Sequence, residues 1–177
     1  LQYLCAAGVS FMFLVSMNRK LRLIDWFNKN KINEPNLINY LDLVSLGTVC
    51  DVVPLVGLNR AIVKQGLKIL KGKKNLGLKT LLDICKIESS PSIYHLGFML
   101  GPRINAGGRV GKCSHGANLL LNTDPKNAFK LASELDQYNK ERQLLEKDLL
   151  QKLLDETKNY SKDPVLVLSG INWQEGI

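Results

Sequence analysis

Gly101-Pro102-Arg103-Ile104-Asn105-Ala106-Gly107-Gly108-Arg109-Val110-Gly111 is a stretch with four glycines, two arginines and one asparagine in eleven positions. A glycine cluster predicts a tight loop with exposed backbone N–H groups, because glycine tolerates positive φ and close backbone approach. Arginine adds a planar, permanently charged fork that suits phosphate oxygens, and asparagine both donates and accepts. The stretch therefore predicts a phosphate-binding loop between two helices. The alternative is a helix connection whose arginines are merely solvated.

The composition is that of an ordinary soluble domain: 45% of the 177 residues are hydrophobic and 23% are charged. No apolar run reaches the length of a membrane span, and the apolar start has no basic region typical of a signal peptide. The four cysteines are widely spaced without a CxxC, which indicates neither a zinc site nor a disulfide framework. We expect a reduced, cytoplasmic setting and no membrane partner. Because the first residue is Leu1, we also expect a piece of a longer chain.

Basic residues are concentrated in the first part of the chain. Residues 1–123 carry 16 basic and 6 acidic side chains, a net charge of +10, whereas residues 124–177 carry 8 and 10, a net charge of −2. Between Asp51 and Asp83 there are seven basic residues and no acidic one. This bias points to a polyanionic partner, most simply nucleic acid. The alternative is a solvated, lysine-rich face.

The spacing of apolar residues predicts a mostly helical chain. Leu1 to about Met17 is apolar almost all round, which is typical of a buried helix. Asn36 is suited to cap a helix that starts at the next residue, and Ser114 to cap a short helix after it. Residues 58–71 and 76–86 combine apolar periodicity with lysines and predict basic amphipathic helices.

The strongest helix start is Thr123-Asp124-Pro125, a cap followed by proline at the first helical position. No glycine or proline follows until about Thr157, so we expect one helix of about 45–50 Å, at 1.5 Å per residue. After a break, Val165-Leu166-Val167-Leu168 predicts a buried strand. Because one strand forms no sheet, we expect it to begin a second, truncated domain.

Two carboxylates, Asp42 and Asp51, interrupt an apolar run. A carboxylate in such a run has to be paired, hydrogen-bonded or metal-bound, because burying it alone costs several kcal/mol. Asp51 precedes Val52-Val53-Pro54. It is either a helix-end or turn cap, or a near-buried ligand suited to a hard cation.

Two segments together carry a family resemblance. The segment Leu41-Asp42-Leu43-Val44-Ser45-Leu46-Gly47-Thr48-Val49-Cys50-Asp51-Val52-Val53-Pro54-Leu55 resembles the last conserved block of the DHH phosphoesterase domain. The segment 101–109 closely resembles the block that marks the RecJ family of single-strand-specific exonucleases within that superfamily. The patch Asn139-Lys140-Glu141-Arg142-Gln143 is similar too. Trp173-Gln174-Glu175-Gly176 resembles the opening of the DHHA1 domain, where relatives usually have His at the position of Gln174.

The resemblance implies that the chain is an internal, mostly α fragment of an α/β protein of the RecJ family. Residues 1–123 would be the C-terminal helical part of a DHH domain. Residues 124–158 would be the connecting long helix. Residues 159–177 would start a truncated DHHA1 domain with its first strand.

The resemblance also implies a function. RecJ-type enzymes hydrolyse single-stranded DNA from the 5′ end in DNA repair and recombination, by attack of water activated by Mn²⁺ or Mg²⁺. By match, Asp51 would be the catalytic carboxylate and the last carboxylate ligand of the metal. The expected partners are single-stranded DNA and other repair or recombination proteins. Residues expected to contact DNA phosphates are Arg103, Asn105, Gly107, Gly108, Arg109 and Ser114.

The Asp-His-His motif of the superfamily is absent from the chain. We therefore expect the fragment alone to be inactive, since one carboxylate cannot hold two metals. Two alternatives stay open: another DHH phosphoesterase acting on short oligonucleotides or cyclic dinucleotides, and a catalytically silent relative that binds DNA or replication partners. The 101–109 block opposes the first alternative. Asp51 opposes the second, because a silent relative does not need the ligand.

Overall fold

The computed structural model describes residues 3–158, 165–171 and 173. Within these residues the regular secondary structure is entirely helical, and they contain no strand. The chain divides into two compact units, Leu1–Gly101 and Pro102–Ile177. The predicted division into domains at residues 123 and 158 stays a prediction.

The first unit is built from helices of very different length. They are α1 (Ala6–Leu23), α2 (Trp26–Lys29), a 3-10 helix (Leu37–Tyr40), α3 (Leu41–Cys50), α4 (Gly57–Lys71), α5 (Leu76–Ile84) and a π-helical segment (His95–Leu100). The predicted cap at Asn36 is confirmed, because its side chain accepts a hydrogen bond from the Ile38 N–H at 3.1 Å. The two predicted amphipathic helices are also confirmed as α4 and α5.

The core of the first unit lies where α3 packs against α4. Leu41 and Val44 of α3 form a buried cluster with Ile62 of α4. The backbones approach closely at Gly66, where an added Cβ would overlap the carbonyl oxygen of Leu41 and the Ser45 Oγ. Glycine is therefore required at position 66 for space, and its conformational freedom is not used there.

The prediction that α1 is buried is wrong. Only Gly8 and Asn18 of this helix are buried, and Phe13 is 67% exposed. An all-round apolar helix is buried only where neighbours cover every side, and the described residues pack against part of α1. The helix also extends past the predicted end to Leu23.

The second unit contains α6 (Gly101–Arg109), α7 (Ser114–Leu120) and α8 (Pro125–Glu156). The predicted long helix is confirmed as α8, which has 32 residues. Its predicted cap is confirmed too, since the Asp124 side chain accepts from the Asn127 N–H at 2.9 Å and Pro125 follows it. The buried positions of α8 keep one stripe: Ala128, Leu131, Ala132, Leu135 and Asn139.

The predicted glycine-rich loop is wrong, because residues 101–109 form α6 and only residues 110–113 connect it to α7. Gly107 and Gly111 of this stretch provide space for packing. A Cβ on Gly107 would lie 2.8 Å from the Lys112 carbonyl oxygen and 3.2 Å from Leu135 Cδ2. Among the described glycines, positive φ occurs at Gly57, which lies outside the stretch.

Two further local predictions in this unit are also wrong. Ser114 is the first residue of α7, and Cys113, which precedes it, makes no capping hydrogen bond with its side chain. Residues 165–168 do not form a buried strand: they have no regular structure, and Val167 is 92% exposed. A strand needs a hydrogen-bonded neighbour, and the described residues supply none. Most of the DHHA1-like Trp173–Gly176 segment lies outside the described residues.

Candidate nucleic-acid interface

Asp51 stands at the C-terminal end of α3. Its backbone N–H donates to the Gly47 carbonyl oxygen at 3.0 Å, which closes the last turn of the helix. Its side chain is exposed and has no hydrogen bond or ion pair with the described residues. The expectation of a near-buried carboxylate is therefore wrong, whereas the backbone role at a helix end is confirmed.

Asp51 offers a suitable ligand for a hard cation, but the described residues around it do not complete a binding site. Mn²⁺ and Mg²⁺ take oxygen ligands, and an open carboxylate can supply one of them. Among the described residues, however, no group of three or more His, Cys, Asp or Glu side chains could hold a metal ion. The described part of the chain thus offers one open carboxylate and no complete metal site.

Asp42 is the buried carboxylate of α3, at 2% exposure. Burial raises its pKa, although the hydrogen bond from the Leu43 N–H to its Oδ1, at 2.8 Å, acts in the opposite direction. The carboxylate also lies in the first turn of α3, where the helix dipole favours a negative charge. Of the two carboxylates in the apolar run, Asp42 is therefore the one that is hydrogen-bonded by its own helix.

Asn105, Gly108 and Arg109 lie together on the exposed face of α6. Residues three and four positions apart are neighbours on a helix, so the Asn105 amide and the Arg109 guanidinium share one surface. Neither side chain has a partner among the described residues. Gly108 between them leaves the backbone open, since a Cβ there would meet only Cys113 Cβ at 4.0 Å. This face can bind a phosphate.

Arg103 points elsewhere, toward α8. Its Nε donates to Asp136 Oδ1 at 2.8 Å, and the two side chains are 18% and 14% exposed. Lys140 Nζ lies 2.8 Å from the other carboxylate oxygen of Asp136. Burial alone raises the pKa of Asp136, but hydrogen bonds from Lys140 and Arg103, with their charges, bring it below its ordinary value. The structure therefore separates Arg103 from Arg109.

His115 of α7 contacts two side chains of α8. Its Nδ1 lies 3.3 Å from Glu134 Oε2, at ion-pair distance although without hydrogen-bond alignment. Its ring stacks on Tyr138, with centroids 5.9 Å apart and an interplanar angle of 27°. Tyr138 in turn covers Gly111, where any Cβ would overlap the ring. Ser114, which precedes this histidine, is exposed.

Sequence reasoning missed the partners that α8 contributes, namely Glu134, Asp136 and Tyr138. One signal was readable: Asp136 and Lys140 are four residues apart, the spacing of a helical ion pair. The 139–143 patch on α8 also holds polar atoms inside the fold. Asn139 is 3% exposed, and its Oδ1 has no hydrogen-bond partner. Arg142 binds Glu146 at 2.8 Å, while its buried Nε has no hydrogen-bond partner.

The described helices include none that combines the length and the apolar character needed to cross a bilayer.

No protein-family model matches the chain. Curated proteins do match it. The chain is 38% identical over 181 residues to the single-stranded-DNA-specific exonuclease RecJ of Dickeya dadantii, across 98% of this chain and 31% of that protein. It is 35% identical over 161 residues to RecJ of Thermus thermophilus, across 91% of this chain and 22% of the relative. The chain thus spans about a third or less of these relatives.

Solved structures give the same answer. A crystal structure of RecJ from Thermus thermophilus in complex with Mn²⁺ is similar with a TM-score of 0.65 and 35% identity, over 78% of this chain and 20% of that one. The complex of the same protein with Mg²⁺ gives a TM-score of 0.64 and 36% identity, over 73% of this chain and 20% of that one. The likeness therefore extends to both sequence and fold.

Proposed function

We propose that this chain, which belongs to the RecJ family, is one segment of a metal-dependent exonuclease that degrades single-stranded DNA. The observation that carries the proposal is the 38% identity over 98% of the chain to a single-stranded-DNA-specific exonuclease. The basic first part of the chain supports it, because a polyanionic strand is attracted by a net charge of +10 over residues 1–123. Attack from the 5′ end, a role in DNA repair and recombination, and a cytoplasmic location belong to the same proposal.

Asp51 acts in this proposal as a metal-binding carboxylate at the end of α3. Its exposed, unpartnered side chain is free to bind a cation held jointly with ligands outside the described residues. When bound, Mn²⁺ or Mg²⁺ lowers the pKa of a water molecule and polarises the phosphodiester. Relatives of this chain have been solved with both ions.

The exposed face of α6 holds the strand by its phosphates. Asn105 donates from its amide, and Arg109 donates two parallel hydrogen bonds from a planar fork. The exposed Gly108 and Ser114 add a close-approach position and a hydroxyl. These contacts are independent of base sequence, because phosphates carry no sequence information.

Arg103 and Gly107 act from the buried side of the same helix. Gly107 lets α6 pack against Leu135, and the ion pair between Arg103 and Asp136 fixes the rotation of α6 about its axis. That fixed rotation keeps Asn105 and Arg109 outward. A phosphate contact by Arg103 itself remains part of the proposal.

The test uses the full-length protein that carries this chain. Single-stranded DNA labelled at the 5′ end or at the 3′ end is incubated with Mn²⁺, and the products are resolved by size. We expect a 5′ label to be released at once as a mononucleotide, a 3′ label to persist until late, and blunt duplex DNA to resist. A protein that leaves single-stranded DNA intact with both Mn²⁺ and Mg²⁺ contradicts the proposal.

A further inference from the structure

We propose that α4 carries a second binding surface for single-stranded DNA, built from residues other than those on the face of α6. This surface binds phosphates with a row of cations and receives a base in an adjacent apolar cavity. This inference rests on the proposed function. The row, called here the α4 cation row, consists of Arg60, Lys64, Lys68 and Lys71. The cavity, called here the α4 cavity, is lined by Leu55, Arg60, Val63, Lys64, Leu67 and Ile93.

The α4 cation row follows one side of the helix. Its members are separated by four, four and three residues, and all are exposed. At a rise of 1.5 Å per residue, neighbouring cations are about 4.5–6 Å apart along the axis, and the row is about 16 Å long. Consecutive phosphates of an extended strand have a comparable separation. A row of cations at nearly regular spacing along one side of a helix therefore matches a row of regularly spaced anions.

These cations have no partner within the fold. None of the four side chains has a hydrogen bond or ion pair with the described residues. The neighbouring lysines differ: Lys73 lies 2.8 Å from Asp83 Oδ1, and Lys74 contacts Asn39 Oδ1 at 3.5 Å. No carboxylate occurs between Asp51 and Asp83 in the sequence. The positive charge of the row is therefore left uncompensated, whereas Asp83 compensates the charge of Lys73 just beyond the row.

The α4 cavity opens beside the first half of the row. Its volume is about 380 Å³, within the range of ligand pockets. Val63 is buried at 2% exposure, whereas Ile93 is 45% exposed. Arg60 and Lys64 belong to both the row and the cavity. An apolar recess bordered by two cations suits a flat apolar group joined to an anion, which is what a nucleobase and its phosphate offer.

The same chemistry could attract an acidic peptide, but two observations favour a strand. The row continues through Lys68 and Lys71, beyond the cavity, so it matches a repeating anion better than one acidic cluster. The cavity lining contributes no polar side chain besides Arg60 and Lys64. It therefore has few groups to read a base edge, and binding would tolerate any sequence, as single-strand-binding grooves do.

The first arm of the experiment tests the cations. Binding of a labelled oligothymidylate to the full-length protein is measured by fluorescence anisotropy without divalent metal over a range of salt. Removing two phosphate contacts in the variant Lys64→Gln, Lys68→Gln should reduce the slope of log affinity against log salt by about 1.4, at about 0.7 per contact. The variant Lys64→Arg, Lys68→Arg should keep the slope. Lys79→Gln removes an exposed charge of α5 and should also keep it.

The second arm tests the cavity with the same oligonucleotide and with an abasic strand of equal length. Leu67→Gln puts a polar group into the apolar recess. We expect it to weaken binding of the oligothymidylate roughly fivefold or more, as for loss of one base contact, with little change for the abasic strand. Equal losses for both strands would overturn the base-binding part of the proposal.

The outcomes separate the two proposals. If the wild-type protein degrades single-stranded DNA while the glutamine double variant keeps the wild-type salt slope, the α4 surface is refuted and the exonuclease function stands. If the wild-type protein neither degrades nor binds single-stranded DNA, the proposed function fails first. A fluorescent peptide with Asp, Glu and Phe tests the other partner. If this peptide binds the wild-type protein but not the glutamine double variant, while both proteins bind DNA equally, the surface belongs to a protein partner and the proposal is overturned.

Discussion

Arg103 and Asp136 form an ion pair that joins α6 to α8, with 2.8 Å between Arg103 Nε and Asp136 Oδ1. Because Lys140 binds the second oxygen of the same carboxylate, Asp136 is held between cations of two helices. Hydrogen bonds from a charged group are stronger than neutral ones, and this pair is mostly shielded from water. The orientation of α6 therefore depends on one carboxylate of α8.

We expect Asp136→Asn to destabilise the protein by about 2 kcal/mol at pH 7, the scale of a charged hydrogen bond. The pKa of Asp136 is lowered by folding, so its contribution is present above the unfolded value near 3.8 and is lost as the pH falls through the folded value. The difference in melting temperature between variant and wild type should thus shrink below about pH 4. A difference that is constant from pH 7 to pH 3 would contradict the ion-pair explanation.

Arg103 and Arg109 should respond differently to replacement by alanine in the full-length protein. Arg109→Ala should reduce the salt slope of single-strand binding by about 0.7 and leave the melting temperature unchanged, because the side chain is exposed and unpaired. Arg109→Lys should rescue binding in part, since lysine restores the charge without the bidentate fork. A wild-type slope in Arg109→Ala would remove this residue from the interface.

Arg103→Ala should lower the melting temperature, because Asp136 keeps Lys140 but loses its partner on α6. If Arg103 also contacts a phosphate, the salt slope falls by about 0.7 as well. Affinity and melting temperature are measured on the same preparation. A lower melting temperature with an unchanged slope would assign Arg103 to the support of α6 alone.

Asp51→Ala in the full-length protein should abolish cleavage while sparing most of the DNA binding. The reason is that a metal-binding carboxylate positions the ion that activates water, whereas strand affinity comes from the cations. Glu88→Ala is the matched control, because Glu88 is an exposed carboxylate of the same unit without a partner among the described residues. Near-wild-type turnover in Asp51→Ala would restrict Asp51 to its role at the end of α3.

The isolated 177-residue chain should show no nuclease activity with Mn²⁺ or Mg²⁺. The described residues supply no cluster of three metal-binding side chains, and the Asp-His-His motif is absent from the sequence. Labelled single-stranded DNA is incubated with the purified chain and with a mock purification. Metal-dependent release of mononucleotides above the mock level would contradict this expectation.

Gly66→Ala should destabilise the first unit by about 3 kcal/mol, the upper range for overpacking, because its Cβ would overlap the backbone of Leu41. Gly108→Ala is the control of opposite sign. It lies in a helix with no atom closer than 4.0 Å to the new Cβ, so alanine should stabilise the helix by up to about 1 kcal/mol. Thermal unfolding of the two variants tests the pair, and equal losses would refute the packing argument.

The sequence predicted elements whose signals are local. The start of α8 could be recognised because Asp124 and Pro125 act within one turn, and α4 because its lysines alternate with apolar residues. The glycines of α6 misled the prediction, because glycine has the same composition signal in a loop and in a close helix contact. Only the position of Leu135 beside Gly107 distinguishes the two.

The sequence named candidate site residues, but it did not show how the helices arrange their side chains. Asn105 and Arg109 share a face only if the segment is a helix, and a predicted loop cannot give that spacing. Arg103 was grouped with them although its partner, Asp136, is 33 positions away in the chain. The exposure of α1 could not be predicted either. Apolar residues show which faces of a helix can be covered, but they do not show whether a neighbouring element covers them.

The four unpaired cations of α4 have a consequence for the helix itself. Like charges four residues apart destabilise a helix by roughly 0.2–0.5 kcal/mol per pair, and this repulsion weakens as dissolved salt screens it. Helix α4, which packs against α3 in the core of the first unit, is therefore less stable than it would be without this repulsion. An anion that lies along the row would remove this repulsion, so occupancy of the surface and rigidity of the core would rise together.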